Sequence, residues 1–164
     1  MADQKIPMTP RGAQRLKEEL KRRKEVERFK IVKAIEEARG HGDLSENADY
    51  SAAKEAQSLN EGRIQLLETT LALSNVIDPA TLSGDKVVFG ATVKLSDAES
   101  GEEVIYALVG EQEADIKKGL ISITAPLARA MIGREAGDTV TVRTPKGARE
   151  YEILKVEFKE INVE

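Results

Sequence analysis

The residues of this chain with the greatest capacity for chemistry lie in one short segment, residues 40–50. This segment holds carboxylates, a hydroxyl, an amide and the only histidine of the chain: His41, Asp43, Ser45, Glu46, Asn47 and Asp49. Two glycines at its start, Gly40 and Gly42, favour a turn. Asp43 and Glu46 are three positions apart, so a helix that begins here brings both carboxylates to one face of its first turn.

The Asp43–Glu46 pair has two interpretations. A D-x-x-E pattern at the start of a helix is a capping box, and acidic residues are also favoured there by the helix dipole. Alternatively, the pair binds a divalent cation such as Mg²⁺, which proteins hold through one or two carboxylates together with waters and substrate phosphates. Two carboxylates on a solvated turn bind such an ion weakly. We therefore expect the metal to be shared with a partner and not held stably by the free chain.

Two further residues of the segment remain open to two interpretations. His41 is either an ordinary turn residue or an aid to proton transfer. Leu44 is an apolar side chain at an exposed tip, and it either inserts into a partner or folds back against the following helix. Elsewhere the sequence contains no phosphate-binding glycine loop, nucleophile elbow or pair of metal-ligand histidines. This argues against an autonomous enzyme.

Two long helical patterns flank the segment. The first begins at Thr9-Pro10, where threonine caps the helix and proline occupies its first position. The second runs from about residue 46 to residue 74 and has a heptad seam formed by Tyr50, Ala53, Gln57, Asn60, Ile64, Leu67 and Leu71. Each pattern spans about 30 residues, or about 45 Å of helix. Because the linking segment has room only to reverse the chain, residues 1–78 are predicted to form an antiparallel coiled-coil hairpin with an acidic tip.

The second half of the chain, residues 79–164, has the alternating pattern and β-branched residues of short strands. The predicted strands cover residues 87–89, 91–95, 103–109, 120–123, 139–143 and 150–156. One helix interrupts them, with Thr124 as its cap and Pro126 in its first turn. The predicted fold is therefore α+β: a helical hairpin followed by an antiparallel β domain with one helix.

Composition narrows the function classes. The chain has no cysteine, which excludes disulfides and thiolate metal sites, and its net charge of −4 argues against a protein that coats nucleic acid. The basic residues between Lys21 and Arg39 alternate with glutamates, which is typical of a solvated helix face with i,i+4 ion pairs. The alternative is a basic stripe that guides a nucleic-acid strand. Without a signal peptide or a long apolar run, we expect a cytoplasmic protein with no membrane contact.

The segment Gly42-Asp43-Leu44-Ser45-Glu46-Asn47-Ala48-Asp49-Tyr50 resembles the tip motif of the Gre family of bacterial transcript-cleavage factors. The resemblance covers nearly the whole chain. Further segments similar to family motifs follow in the family's order at residues 8–12, 61–64, 76–79, 88–93, 110–115, 119–122 and 127–133. The acidic second half is closer to the GreA type than to its more basic sister.

This resemblance implies a fold, a partner and a mechanism. The family fold is an N-terminal coiled-coil hairpin with a C-terminal FKBP-like domain. The implied partner is bacterial RNA polymerase, on which the C-terminal domain docks at the rim of the secondary channel while the hairpin reaches the catalytic centre. There Asp43 and Glu46 help to hold the second Mg²⁺ jointly with the polymerase and orient the water that cleaves backtracked RNA. The chain then acts as a monomeric elongation factor and not as an enzyme.

The resemblance also implies roles for residues around this pair. Contacts of the tip with the partner are made by Leu44, Ser45, Asn47 and Tyr50. The 3′ end of the backtracked RNA is handled by Arg39 and Lys54, and docking on the polymerase involves Thr124 and Pro126. Three residues depart from the family pattern: Phe29 stands for a proline, Ala125 for a serine and Asp49 for a glutamate. The first puts a bend of the helix in question, and the second weakens the docking assignment.

Two other functions fit the same architecture. A channel-blocking inhibitor of transcription would share the fold, but the intact pair Asp43 and Glu46 argues against it. A peptidyl-prolyl isomerase would use the FKBP-like domain. Its ligand pocket needs aromatic side chains, and the second half of the chain contains only Phe89, Tyr106, Tyr151 and Phe158.

Overall fold

The computed structural model describes residues 5–43 and 46–163, which fold into two compact units. The hairpin unit, Gln14–Leu73, is helical, and the β unit contains the described residues before Gln14 and after Leu73. The predicted α+β class is confirmed, with a helical hairpin and a β domain that carries one short α-helix. In this part of the chain, every helix is too short or too polar to cross a membrane.

Contacts group the chain differently from the predicted domains, which meet between residues 78 and 79. Strand β1, Ile6–Met8, pairs in parallel with strand β2, Ser74–Val76. The residues that lead into the hairpin and those that follow it therefore belong to the β unit. In chain order, the hairpin lies between two strands that pair with each other.

The helical stretch before the turn consists of α1, Pro10–Arg22, a π-helical segment, Arg23–Glu27, and α2, Arg28–Arg39. After the turn, α3 covers Ala48–Ala72. The predicted heptad seam of α3 is confirmed. Its buried members are Ala53, Asn60, Ile64 and Leu67, and its half-buried members are Tyr50, Gln57 and Leu71.

The π-helical segment corrects the phase of the first helical stretch. A seven-residue repeat that continues from Arg23 would turn residues 30, 34 and 37 toward α3, but these positions are exposed. Ile31 is half-buried, and Ile35 and Ala38 are buried, so the seam has moved by one residue. The amide of Arg28 donates to the carbonyl of Arg23, a bond that spans five residues where an α-helix spans four. The π turn thus takes up the extra residue.

The β unit contains a five-stranded sheet in the order β5-β4-β3-β7-β6. Its strands are β3 Ala91–Asp97, β4 Glu103–Val109, β5 Leu120–Ser122, β6 Thr139–Thr144 and β7 Gly147–Phe158. All neighbours are antiparallel except β4 and β5, which are parallel. The chain between these two strands forms two 3₁₀ turns, and β5 then runs beside the last three residues of β4 in the same direction.

The predicted strand at residues 87–89 was wrong. The only pairing near it is an isolated bridge between Lys86 and Glu135, within the part of the chain that the structure describes. Val87 is completely buried in the core of the β unit. The apolar pattern at this point therefore reported burial and not strand pairing.

The core of the β unit contains apolar side chains from the sheet and from α4, Pro126–Met131. Its buried members are Val87, Ala91, Val93, Leu95, Leu108, Ile121, Ala128, Met131, Val140 and Ile153. A second, smaller cluster consists of Ala107, Val109, Leu120, Ile161 and Val163. Residues close to the end of the chain thus belong to the folded β unit.

A buried carboxylate, that of Glu113, holds the start of α1. Glu113 is 4% exposed. It accepts hydrogen bonds from the Thr9 amide (3.0 Å), the Thr9 hydroxyl and the Gly110 amide (3.1 Å). The Thr9 hydroxyl also accepts from the Gly12 amide at 3.0 Å, which confirms Thr9 as the cap of α1. Hydrogen bonds and the positive end of the helix together stabilise the buried charge.

Gly12 leaves the space that the Glu113 carboxylate occupies, because a Cβ atom at this position would overlap that carboxylate. We expect Gly12→Ala to destabilise the protein by about 2 kcal/mol or more, since the displaced carboxylate loses buried hydrogen bonds. Gly62→Ala in α3 is the matched control, because a Cβ atom there meets nothing within 4 Å. Alanine at this second position should stabilise the protein by about 0.5–1 kcal/mol. Urea unfolding measures both changes, and two equally stable variants would contradict this role of Glu113.

Candidate functional site at the hairpin tip

The chain reverses between α2 and α3, and this turn (residues 40–47, the tip) carries the predicted acidic pair. At the end of α2 the amide of His41 donates to the carbonyl of Ala38 at 3.1 Å. Gly42 has a φ of 106°, in the left-handed region that glycine adopts without steric cost. The predicted turn is therefore confirmed at these residues.

Asn47 closes the tip with two hydrogen bonds. Its side-chain oxygen accepts from the amide of Tyr50 at 3.0 Å, which makes Asn47 the N-cap of α3. Its side-chain nitrogen donates to the carbonyl of Ala38 at 2.6 Å. One side chain therefore satisfies a free amide at the start of α3 and a carbonyl at the end of α2.

Asp43 does not occupy the N-cap of α3, as the capping-box interpretation requires for this helix. Because α3 begins at Ala48 and is capped by Asn47, both acidic residues precede the helix. Asparagine caps helices as well as aspartate does. However, Asn47 is followed three residues later by Tyr50, which cannot complete a capping box. The D-x-x-E pattern therefore pointed to a helix start that lies too early in the chain.

Asp43 and Glu46 are exposed on the turn. An ionised carboxylate only accepts hydrogen bonds, and its oxygens are the ligands that Mg²⁺ prefers. Across residues 5–43 and 46–163, no group of three or more His, Cys, Asp or Glu side chains is arranged to hold a metal ion. Leu44 and Ser45, the predicted partner contacts between the two acidic residues, lie outside the described residues.

His41 has a neighbour that the sequence did not reveal. Its Nδ1 atom lies 3.5 Å from a carboxylate oxygen of Asp49, in the first turn of α3. Both side chains are exposed, and the pair is ionic only when the imidazole is protonated. The contact crosses the turn, and no local spacing pattern predicts it. It places Asp49 against His41.

Arg39 and Lys54, the predicted RNA-handling residues, lie on different helices and line one shallow groove near the tip. The other lining residues are Val32, Ile35, Glu36 and Gln57. Lys54 donates to the side chain of Gln57 at 3.0 Å, and neither Arg39 nor Lys54 forms an ion pair with another described residue. The groove, at ≈ 200 Å³, is smaller than the roughly 300 Å³ at which small-molecule sites begin. It offers two cations to a partner and no enclosed pocket.

The basic residues farther from the tip are largely paired. Four ion pairs involve Arg22 with Glu27, Arg23 with Glu19, Lys24 with Glu68 and Arg28 with Glu61. This favours the interpretation of a solvated helix face over that of a strand-guiding stripe. The last two pairs reach across to α3, whereas the sequence pattern had indicated pairs within one helix.

Thr124 and Pro126, the predicted docking residues, are exposed in the β unit. The prediction of Thr124 as a helix cap was wrong, because α4 begins at Pro126 and Ala125 occupies the capping position without a side-chain bond. The Thr124 hydroxyl instead lies 2.7 Å from that of Ser122 and donates to Glu111 at 3.2 Å. Proline at the first helical position fixes the helix start one residue later than the hydroxyl suggested.

Known proteins resemble this chain over nearly its whole length. Residues 6–76 match the N-terminal domain of transcription elongation factors, and residues 82–158 match the C-terminal domain of the GreA/GreB transcription elongation factors. Transcription elongation factor GreA of Anaeromyxobacter sp. (strain K) is 62% identical over 157 residues, which are 96% of this chain and 95% of that protein. The GreA of Brucella canis is 58% identical over 155 residues, 94% of this chain and 99% of that protein.

Among solved structures, GreA factor homolog 1 (Gfh1) of Thermus thermophilus is 28% identical to this chain. The match covers 93% of this chain and 99% of that one, with a TM-score of 0.43.

The two bonds of Asn47 can be separated by substitution. We expect Asn47→Ala to reduce the free energy of opening at the tip by about 1–2 kcal/mol, because the cap and the bond to Ala38 are both lost. Asn47→Ser keeps a capping oxygen but lacks the amide donor, so its loss should be smaller. Hydrogen exchange at the Tyr50 amide measures both effects. Equal exchange rates in the two variants would show that the cap contributes nothing.

Proposed function

The chain belongs to the GreA/GreB family of transcription elongation factors, and on this premise we propose how it acts on bacterial RNA polymerase. In this proposal the hairpin enters the secondary channel, and its tip stimulates the polymerase's own cleavage of backtracked RNA. Cleavage gives an arrested complex a new 3′ end from which elongation resumes. The chain supplies ligands in trans, and the polymerase remains the enzyme.

The observation that carries the proposal is the exposed pair Asp43 and Glu46 on a turn that Asn47 holds closed. Two packed helices are only about 20 Å across, because each has a diameter of about 10–12 Å with its side chains. A narrow probe of this kind suits entry into a channel. The closed turn lets the probe present its two carboxylates at a defined place.

The proposed reaction is hydrolysis of a phosphodiester bond in the nascent RNA. Mg²⁺ at this place would neutralise phosphate charge and make a bound water more acidic. Asp43 and Glu46 would hold this ion together with ligands from the polymerase, a role that fits two exposed carboxylates. Their oxygens would also accept hydrogen bonds from the attacking water and so orient it.

Charge near the tip supports a role in holding the RNA. Arg39 and Lys54 line one groove and have no acidic partner among the described residues, so both cations are available to phosphate groups. We assign them to the 3′ end of the backtracked RNA. Arginine binds phosphate through two parallel hydrogen bonds, whereas lysine acts as a point charge, so we expect Arg39 to contribute more to positioning.

The remaining tip residues divide into two groups in this proposal. Leu44 and Ser45 are assigned to direct contact with the polymerase. Asn47 and Tyr50 support the tip from within, because Asn47 bonds both helices and Tyr50 is half-buried on the seam. A substitution of Asn47 or Tyr50 should therefore loosen the structure of the tip, and any effect on polymerase binding should follow from that loosening.

Docking is assigned to the β unit, at Thr124 and Pro126. Both are exposed, and the hydroxyl of Thr124 is held by Ser122 and Glu111. A surface that is already hydrogen-bonded within itself loses little conformational entropy on binding. The alanine at position 125 removes one hydroxyl from this surface relative to the family pattern.

The rival functions make different demands on the same assay. Added to a stalled elongation complex, a cleavage factor shortens the transcript and leaves an end that can be extended again. A channel-blocking inhibitor would slow synthesis without shortening the transcript. A peptidyl-prolyl isomerase would turn over a prolyl peptide and leave the transcript unchanged.

We expect Asp43→Asn or Glu46→Gln to reduce stimulated cleavage by about 100-fold or more, because even indirect partners of a metal cost about 10–100-fold when removed. Polymerase binding should stay nearly unchanged, since docking is assigned to the β unit. Asp49→Asn is the matched control, because this nearby acid faces His41, and it should retain cleavage. Transcript shortening and a competition assay for polymerase measure the two properties. Cleavage at the unsubstituted rate in both acidic-pair variants would rule out the carboxylate mechanism.

The free protein should bind Mg²⁺ with a dissociation constant in the millimolar range or weaker, or about 4 kcal/mol at most. The reason is that two carboxylates on a solvated turn leave most of the octahedral shell to water. Added to stalled polymerase, the protein should lower the Mg²⁺ concentration that cleavage requires. Calorimetry that shows micromolar binding by the free chain would contradict a shared site. A Mg²⁺ dependence unaffected by the protein would do the same.

A further inference from the structure

A polar layer interrupts the hairpin about midway along its length. Its members are Glu19, Arg23, Asn60 and Arg63. Glu19 accepts from Arg23 at 2.7 Å and from Arg63 at 2.9 Å and 3.0 Å. Asn60, 4% exposed, occupies a seam position at which a coiled coil ordinarily places an apolar residue. The seam is therefore closed here by hydrogen bonds and not by apolar packing.

The polar layer coincides with the π-helical segment. The side chain of Asn60 accepts from the Arg23 guanidinium at 3.1 Å and donates to the Arg23 carbonyl at 3.2 Å. That same carbonyl accepts the amide of Arg28 in the π turn. Asn60 thus binds a carbonyl that takes part in the π turn. The π segment itself contributes no buried residue.

Ion pairs of Glu19 with Arg23 and Arg63 hold the polar layer together. Hydrogen bonding from Arg63 and then from Arg23 lowers the pKa of Glu19 to about 2, against its ordinary value of 4.5. Because the pKa of the folded state is the lower one, the stabilisation is complete above about pH 4.5 and is lost as the pH falls toward 2. Over the neutral range the layer therefore keeps its charges and stays a break in the apolar seam.

The layer separates two halves that are anchored differently. The proximal half, residues 14–22 and 61–73, continues at both ends into the paired strands β1 and β2. The distal half, residues 28–39 and 48–59, meets the proximal half at the layer and through the exposed ion pair of Arg28 with Glu61. Its buried seam residues are Ile35, Ala38 and Ala53, two of which are alanines. Little buried apolar surface and one unanchored end are the conditions for local opening.

We propose that the polar layer is a hinge at which the distal half of the hairpin opens as one cooperative unit while the proximal half stays folded. The distal half carries the tip, so this device would let the tip rearrange without unfolding the helices that support it. Polar residues in coiled-coil seams lower stability and gain specificity, and π turns recur at functional sites. The proposal concerns the free protein and does not depend on polymerase.

Native-state hydrogen exchange of the full chain at increasing low urea concentrations tests the hinge. Amides of residues 31–38 and 53–59 should share one opening free energy and one urea dependence. They should exchange at least about tenfold faster than amides of residues 64–70, because opening the distal half costs less free energy than unfolding the whole hairpin. Their urea dependence should also be smaller, because this opening exposes less surface. Equal protection in the two groups would overturn the proposal, as would faster exchange in the proximal group.

Two substitutions at polar seam positions locate the hinge. Asn60→Leu joins the two apolar seams, so the distal amides should acquire the larger urea dependence of the proximal ones. Gln57→Leu, one turn nearer the tip, is the matched control. It should slow distal exchange but leave the smaller urea dependence unchanged, because the layer remains. If the urea dependence of Asn60→Leu matches that of the unsubstituted chain, the layer is not the hinge. Should Asn60→Leu fail to fold, Arg23→Met removes the guanidinium from the layer, with its bonds to Asn60 and Glu19, and is judged by the same criterion.

Discussion

The buried carboxylate of Glu113 connects the separate parts of the β unit. Its hydrogen bonds reach Thr9, where α1 begins, and Gly110, where β4 has just ended. An ionised side chain with 4% exposure would be costly without such partners. The partners are two backbone amides and one hydroxyl, all near the positive end of α1. The Glu113 carboxylate can pack against the first turn of α1 because Gly12 has no side chain.

The hairpin and the general position of the tip follow from the sequence because they depend on local patterns. Heptad spacing in α3 and the glycines at the turn report directly on helix and turn geometry. The same kind of reasoning failed where two local patterns competed. The D-x-x-E spacing suggested Asp43 as the cap of α3, where the structure has Asn47. The hydroxyl of Thr124 suggested a cap at that residue, although Pro126 sets the start of α4 and leaves Ala125 at the capping position. At residues 87–89, the apolar run reflects burial of Val87 in the core and not a strand.

Other features depend on residues far apart in the chain and have no local pattern. Glu113 meets Thr9 across 104 positions, and β5 becomes parallel only through the path of the segment that precedes it. The π turn was accessible in principle, since Ile31, Ile35 and Ala38 are one residue out of phase with Leu16 and Leu20. The chemistry of Asp43 and Glu46 is a different case. In the proposed function, these two carboxylates act only with a partner that adds the remaining metal ligands.

The hairpin unit and the β unit differ in when their contacts can form during synthesis. Both partners of every contact within the hairpin unit lie between residues 14 and 73. Its helices can therefore form once Leu73 has left the ribosome. The β unit must wait much longer, because Arg11 meets Asn162 across 151 positions and the second apolar cluster includes Ile161 and Val163. A nascent chain therefore carries a formed hairpin before it has a complete β unit.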